Sequence, residues 1–399
     1  MTAAMNILMI NYEYPPLGGG GGVFTNQLAE ALAERHAITV ITSRIGDLKR
    51  EETIKGVELK RVAVPLRKDR NVASLTSMLG FFPSSFWVGR KLLQRRHFDL
   101  IHSMFAVPSA PSGQLLAKFY KKPHILSILG GDIYDPSKRL SPHQTPLLHQ
   151  MVRKVLNTAD CVVSLSKDIQ NRARMYYRIK RPIDVIHLGI PRPSFKSVQR
   201  KAYGLQEEDI VLISVGRLVA RKCVATLIRV LRDLADLRVK LLVVGNGPEK
   251  EKLVKLGDDL KLNNHLFFMG NVSDEEKFSL LNLADIYVSA SSHEGFGIVF
   301  LEAMSAGLPV ACFDNGGQAD YLKDGQTGIL VPYGRQDQLT AGIKHLINDA
   351  DHRQRISIHN SQYINQFYID NCARQYEAHY QQLVQIPKRS MKEAKTIRC

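Results

Sequence analysis

Cysteine is scarce and tryptophan occurs once: Cys161, Cys223, Cys312, Cys372 and Cys399 are odd in number, scattered along the chain, and form no CxxC pair. Such spacing suggests neither a disulfide framework nor a zinc site. No apolar run reaches the length of a membrane span, and the opening MTAAMNILMI passes directly into a strand without the plan of a cleavable signal peptide. These absences predict an intracellular, cytoplasmic protein. The patterns of RRM, KH, zinc-finger and helix-turn-helix modules are also missing, so charge alone would have to support a nucleic-acid partner, and none of defined sequence is expected.

The first half lacks acids. Residues 1–193 hold 28 Lys and Arg against 14 Asp and Glu, whereas the remainder holds 26 against 24, so nearly all of the net charge of +16 sits in the N-terminal half. A half this basic favours anionic partners such as a phosphorylated acceptor or a membrane surface. The stretch FFPSSFWVGRKLLQRR, from Phe81 to Arg96, joins the only Trp to a basic cluster. It reads either as an interfacial segment, which would place the protein at the inner face of the cell membrane, or as a core-packed helix with its bases in water.

With 399 residues, 44% apolar and 23% charged, the chain suits two soluble domains. Strands are expected at Met5–Asn11, Ala37–Ser43, Val57–Val64, Leu100–Ser103, His124–Leu129, Cys161–Leu165 and Asp184–His187, with a first helix over Thr25–Arg35. A polar stretch after Pro191 and Pro193 marks a junction before the apolar strand that begins at Ile210, and the second half repeats the strand–turn–helix logic. The expected organisation is an α/β chain of two doubly wound domains, 1–193 and 194–370. A C-terminal helix within 371–399 is expected to cross back to the first domain, and the tail 388–399 to fray.

The segment Glu294–Pro309, EGFGIVFLEAMSAGLP, follows the buried strand LADIYVSAS and places Glu294 in a glycine turn and Glu302 in the short helix beyond, some two turns on. Gly307 and Pro309 end that helix. Free N–H groups of Phe296, Gly297 and Ile298 at its start suit phosphate oxygens. The carboxylates suit hydroxyls instead: Glu302 a ribose diol, Glu294 a transferred sugar. The plainer alternative is two helix-start acids favoured by the macrodipole.

Three further groups carry chemistry. Arg217 and Lys222, five apart in SVGRLVARK, can clamp a diphosphate and offset charge that builds on it, or stand as a solvated pair. The loop PPLGGGGGVF holds Gly18 to Gly22, whose bare backbone either approaches a phosphate ahead of a helix from about Val23 or simply flexes. It is not a Walker loop, for no Gly-Lys-Ser/Thr follows. Asp132 in LGGDIYD orients a hydroxyl or caps the next segment, and His102 ends a strand, where a lone His is more often structural.

The segment around Glu294 and Glu302 resembles the E-x7-E signature of the retaining glycosyltransferases of family 4. The Arg217–Lys222 spacing and the turn LVVGNGPEKEKL agree with the same family. The resemblance implies a GT-B fold, two Rossmann-like domains facing a central cleft, with a nucleotide-sugar donor, UDP- or GDP-linked, held by the second. It implies that Gly19, Gly20, Gly21 and Gly22 contact the donor's pyrophosphate or the acceptor, that Gly247 has nucleotide contacts, and that Met269 to Val272 lie at the base. Two positions depart from the family: Cys223 stands where a Gly usually follows the Lys, and Leu129 where a His usually precedes the Gly-Gly-Asp.

On this reading the protein is a retaining hexosyltransferase acting on a hydroxyl acceptor, lipid-linked or otherwise anionic, and using neither cofactor nor metal. Arg217 and Lys222 stabilise the leaving diphosphate, Glu294 positions the sugar, Glu302 grips the ribose, and Asp132 and His102 stand on the acceptor side. The competing readings are a nucleotide-sugar epimerase of the same fold and a non-enzymatic module that binds anionic surfaces through its basic half.

Overall fold

The computed structural model describes residues 3–65, 67, 75–135, 141–196 and 198–385. The expected frayed tail, 388–399, lies outside them. The chain divides into Met1–Pro191 with Ile369–Cys399, and Arg192–Tyr368, so each expected boundary moves two residues towards the N-terminus.

The first unit is built on an eight-stranded sheet: β1 (Asn6–Ile10), β2 (Ala37–Arg44), β3 (Glu51–Ile54), β4 (Val57–Ala63), β5 (Leu100–Met104), β6 (His124–Ile128), β7 (Cys161–Ser164) and β8 (Asp184–Val185). Its spatial order is β3-β4-β2-β1-β5-β6-β7-β8, parallel except for the β3–β4 pair. The strands β1, β5 and β6 are buried almost throughout, as strands covered on both faces are, and β5 and β6 carry the buried polar residues His102, Ser103, His124 and Ser127. The covering helices are α1 (Gly20–Ala33), α2 (Leu75–Arg95), α3 (Ala110–Tyr120), α4 (Pro146–Thr158) and α5 (Lys167–Tyr177). The strand β3 escapes sequence reading because EETI is a charged edge that carries no apolar alternation.

The second unit holds β9 (Ile210–Val215), β10 (Val239–Val244), β11 (Leu266–Gly270), β12 (Ile286–Ser289), β13 (Val310–Asp314) and β14 (Gly328–Pro332), all parallel, in the order β11-β10-β9-β12-β13-β14. Its helices are α6 (Val224–Asp233), α7 (Lys250–Asp259), α8 (Asp274–Leu283), α9 (Ile298–Ser305), α10 (Gln336–Asn348) and α11 (Ala350–Tyr363). The last helix, α12 (Ile369–Gln385), belongs to the first unit, where Glu377 meets Arg35 and His36 beside α1.

Each sheet reverses strand order once, and ligands of open α/β sheets bind at the carboxyl ends flanking such a reversal. In the first sheet it falls between β1 and β5, next to the glycine loop; in the second, between β9 and β12, whose following loops carry Arg217 to Lys222 and Ser291 to Gly297.

The segment Phe81–Arg96 forms most of α2, up to Arg95, and has both a packed and an exposed side. Phe81 is fully buried and packs edge-on against Tyr12 at 5.3 Å, whereas Trp87 is 55% exposed with the Arg90 guanidinium 5.2 Å from its ring.

Candidate active site

In the second unit the turn after β9 is set by Gly216, at φ +152, where an added Cβ would lie 3.3 Å from Lys222 Cε. The Lys222 side chain thus runs across the glycine. Together with Arg217, Ser214, Ser289 and Ser291 it lines a concavity at the strand-order reversal. The next turn is stitched to this one: Gly247 would drive a Cβ to 2.3 Å from Leu218 O, and Leu218 N–H donates to Asn246 O at 3.0 Å. Gly247 is therefore required by packing. Met269 lies in β11 and Val272 just past Gly270, both half-buried, and Gly270 O accepts from Gly245 N–H at 2.7 Å.

Glu294 is buried, yet ionised. Burial resists its charge, but the Lys222 ammonium, 2.5 Å from Oε1, and the Arg221 guanidinium, 3.4 Å from Oε2, hold its pKa below the ordinary value. The backbone around it is fixed from several sides. Ser292 N–H donates to Arg221 O at 2.8 Å, Gly317 N–H donates to Glu294 O at 2.8 Å, and Asn315 donates to Ser292 O. Gly316, at φ +124, sits against the same carbonyl, where a Cβ would come within 2.3 Å. The hydroxyl of Tyr321 donates to Phe296 O and Gly297 O at 2.8 and 2.9 Å, shaping the turn in which Gly297 takes a left-handed φ of +85.

The helix α9 begins at Ile298 with Gly297 as its N-cap, after the glycine turn as expected, so Glu302 lies little more than one turn into it. Glu302 is also buried, which raises its pKa, while Lys277 from α8 stands 2.7 Å from Oε1 and pulls it down. Lys277 bridges onward to Asp274 at 2.9 Å. The buried hydroxyl of Tyr287 feels both Glu294 and Glu302, which join desolvation in raising its pKa.

In the first unit α1 starts at Gly20, three residues before the expected Val23, so the glycine run is a helix start and not a free loop. Its glycines differ. A Cβ at Gly21 would meet Phe105 Cζ at 2.3 Å and one at Gly22 would meet Glu13 Cβ at 3.1 Å, but Gly19 and Gly20 face open space. Packing requires glycine at the first pair and does not at the second. Glu13 Oε2 accepts from Gly19 N–H at 3.1 Å.

The remaining two residues are tied up in the fold. Asp132 accepts from the N–H of Ala106 at 2.6 Å with one oxygen and of Leu129 and Gly130 at 3.0 and 2.9 Å with the other, locking the loops after β5 and β6 together. Burial raises its pKa to about 6 against those donors. His102 lies within β5, not at its end, and takes the structural alternative; it is fully buried beneath α12, with Nδ1 2.8 Å from Tyr380 OH and Nε2 2.8 Å from Ser127 Oγ. Burial and the neighbouring His124 push its pKa down to about 3. The geometry gives His102 to the core.

The structure therefore pairs Lys222 and Arg221 with Glu294, sets Arg217 beside Lys222 at the rim of the same concavity without a contact to Glu294, brings Glu302 to Lys277, and ties Asp132 and His102 into the fold. Arg221, the other cation of SVGRLVARK, also faces Glu294, and Lys277 was not legible in the sequence. Nothing about DEEKF marks its lysine as the partner of a glutamate 25 residues on.

Two family descriptions match the chain: glycosyltransferase family 4 over residues 18–192 and glycosyl transferases group 1 over residues 195–362. The N-acetyl-alpha-D-glucosaminyl L-malate synthase of Bacillus anthracis is 26% identical over 92% of this chain and 94% of its own. The GDP-mannose-dependent alpha-(1-6)-phosphatidylinositol monomannoside mannosyltransferase of Mycolicibacterium smegmatis is 25% identical, over 86% and 89%. Among solved structures, the sucrose-phosphate synthase of Thermosynechococcus elongatus superposes with a TM-score of 0.81 at 20% identity, covering 95% of this chain and 99% of that one.

Proposed function

The chain belongs to the family 4, group 1 glycosyltransferases of GT-B fold, and from that premise we propose that it moves a hexose from a nucleoside-diphosphate sugar to a hydroxyl acceptor with retention of configuration. The observation that carries this reading is the buried Lys222–Glu294–Arg221 cluster at the strand-order reversal of the second sheet. Two cations there exceed what one carboxylate needs, and Arg217 adds a third at the rim of the same concavity.

In the proposed reaction Arg217 and Lys222 hold the diphosphate and offset the charge it gains as the glycosidic bond breaks. Glu294 accepts hydrogen bonds from the sugar hydroxyls, and Glu302 accepts them from the ribose once Lys277 turns towards solvent or phosphate. The N–H groups at the start of α9 are a further place for phosphate. The acceptor hydroxyl attacks from the face the diphosphate leaves, and a phosphate oxygen takes its proton, so the base is the leaving group itself. No cofactor is invoked, and the protein's cations stand in for a divalent ion.

The acceptor we infer is lipid-linked and anionic. The first unit carries the basic excess and an apolar recess lined by Met78, Leu79, Phe82, Val107, Leu148 and Met151, with Trp87, Phe119 and Leu147 exposed on the same unit. Among the described residues no helix is long and apolar enough to cross a membrane. Peripheral contact with an anionic bilayer is the form of attachment this surface supports. Flotation with anionic liposomes at low salt, weakening at high salt, is the expected result; equal flotation with neutral liposomes contradicts it.

Incubation with UDP-, GDP- and ADP-sugars tests the reaction class. Slow release of free nucleoside diphosphate from one of them, not stimulated by added Mg2+, is expected. Failure to bind any of them sinks the reading.

A further inference from the structure

Away from the donor cluster, the first unit gathers three side chains of metal-ligating type from three separate elements. Cys161 opens β7, Asp184 opens β8 and His379 lies on α12, and their ligand atoms all fall within 4.8 Å of one another. His379 Nε2 is 3.2 Å from Asp184 Oδ2. Its Nδ1 lies 2.9 Å from Gln375 O, and because a carbonyl only accepts, Nδ1 carries a hydrogen. Nε2 then faces a carboxylate across a gap that must hold positive charge, either a second proton or a cation. A histidine whose far nitrogen is fixed by a backbone carbonyl is how ligating imidazoles are oriented.

We propose that Cys161, Asp184 and His379 bind one divalent metal ion of borderline softness, zinc above all, as a clasp that ties α12 to the last two strands of the first sheet. The donor set decides the class of metal. A thiolate, a carboxylate and a neutral imidazole supply two negative charges for a 2+ ion, and sulfur with nitrogen favours zinc over calcium or magnesium, which prefer all-oxygen shells. Tetrahedral bonds of about 2.0–2.3 Å place ligand atoms roughly 3.3–3.8 Å apart, so the trio needs to close by only about 1 Å. Half-exposed Asp184 leaves the fourth position to water. On binding, the thiol proton and the extra imidazole proton pass to solvent. The same pin holds the helix that carries Tyr376 and Tyr380 onto the buried Ser127 and His102, so its loss would loosen the core beneath it.

Chelator-treated full-length protein titrated with Co2+ alone tests the site. A thiolate-to-cobalt charge-transfer band that saturates at one equivalent and is displaced by Zn2+ is expected, with a rise in Tm of about 5 °C at a hundredfold excess over Kd. Cys161→Ser and His379→Gln should abolish the band, and Asp184→Asn, the mildest change, should weaken Co2+ binding at least about tenfold. Cys223→Ser, in the other unit, should leave it intact. Circular dichroism confirms that each variant is folded. No band in the wild type means that His379 and Asp184 form an ion pair only and overturns the proposal, as does a band that survives Cys161→Ser.

Discussion

The Lys222 ammonium lies 2.5 Å from one oxygen of Glu294 while the Arg221 guanidinium stands 3.4 Å from the other, so a buried carboxylate is held between two cations in the free protein. The pairing keeps Lys222 extended across Gly216, where the proposed reaction sets the diphosphate. Replacing Lys222 by Ala is expected to lower turnover by about 10²–10³ with a smaller change in KM, because the interaction strengthens as the leaving group gains charge. Steady-state kinetics with the hydrolysed sugar nucleotide measure this, and unchanged turnover would remove Lys222 from the reaction.

The same cluster makes stability depend on pH. Glu294 has its folded pKa below the ordinary 4.5, so its contribution is present above about pH 4.5 and is lost as pH falls through the folded value. Glu294→Gln leaves Lys222 partly unpaired and should cost about 1–3 kcal/mol at pH 7. That gap should narrow on acidification, which urea denaturation from about pH 7 to pH 3 would record. A gap that stays constant would show that the charge pair contributes nothing.

His102 should matter to stability and not to turnover. His102→Gln disturbs a buried bond to Tyr380 or Ser127 and is expected to cost about 1–3 kcal/mol while kcat changes by less than about threefold. Loss of kcat in a variant that remains folded would return His102 to the reaction.

Cys223 stands at the N-cap of α6 with φ +48, a left-handed conformation that costs a residue bearing a Cβ. The glycine usual in the family suits that backbone without strain. Cys223→Gly should therefore raise stability by about 1 kcal/mol, read as a higher urea midpoint; an unchanged or lower midpoint would mean that the thiol's contact with Ala220 O, at 3.3 Å, offsets the strain.

The α/β architecture was legible because both sheets are parallel, apart from the β3–β4 pair, and their central strands are buried, so strands such as NILMI and IVLISV stand out as apolar runs. The positions of Arg217, Lys222 and Glu294 in loops after strands, and of Glu302 in the helix beyond, were legible because the flanking apolar runs fix where those strands end. What depends on pairing between distant elements was not. Lys277 reaches Glu302 from another helix, and Asp132 spends both oxygens on backbone N–H groups of two loops. His102 is covered by Tyr376 and Tyr380, more than 270 residues later in the chain. The glycine run read equally as a phosphate approach or a flexible loop, and only the structure shows that Phe105 and Glu13 pack against Gly21 and Gly22 and that α1 begins among them.

Whether the loops after β9 and β12 grip a sugar nucleotide is tested most directly by calorimetric titration of that nucleotide, and of its nucleoside diphosphate alone, into wild type, Arg217→Ala and Glu302→Gln. The expected result is that Arg217→Ala weakens both ligands by about tenfold or more, and that Glu302→Gln weakens both through the ribose they share. Wild-type affinity in both variants would contradict the placement of the donor in this site.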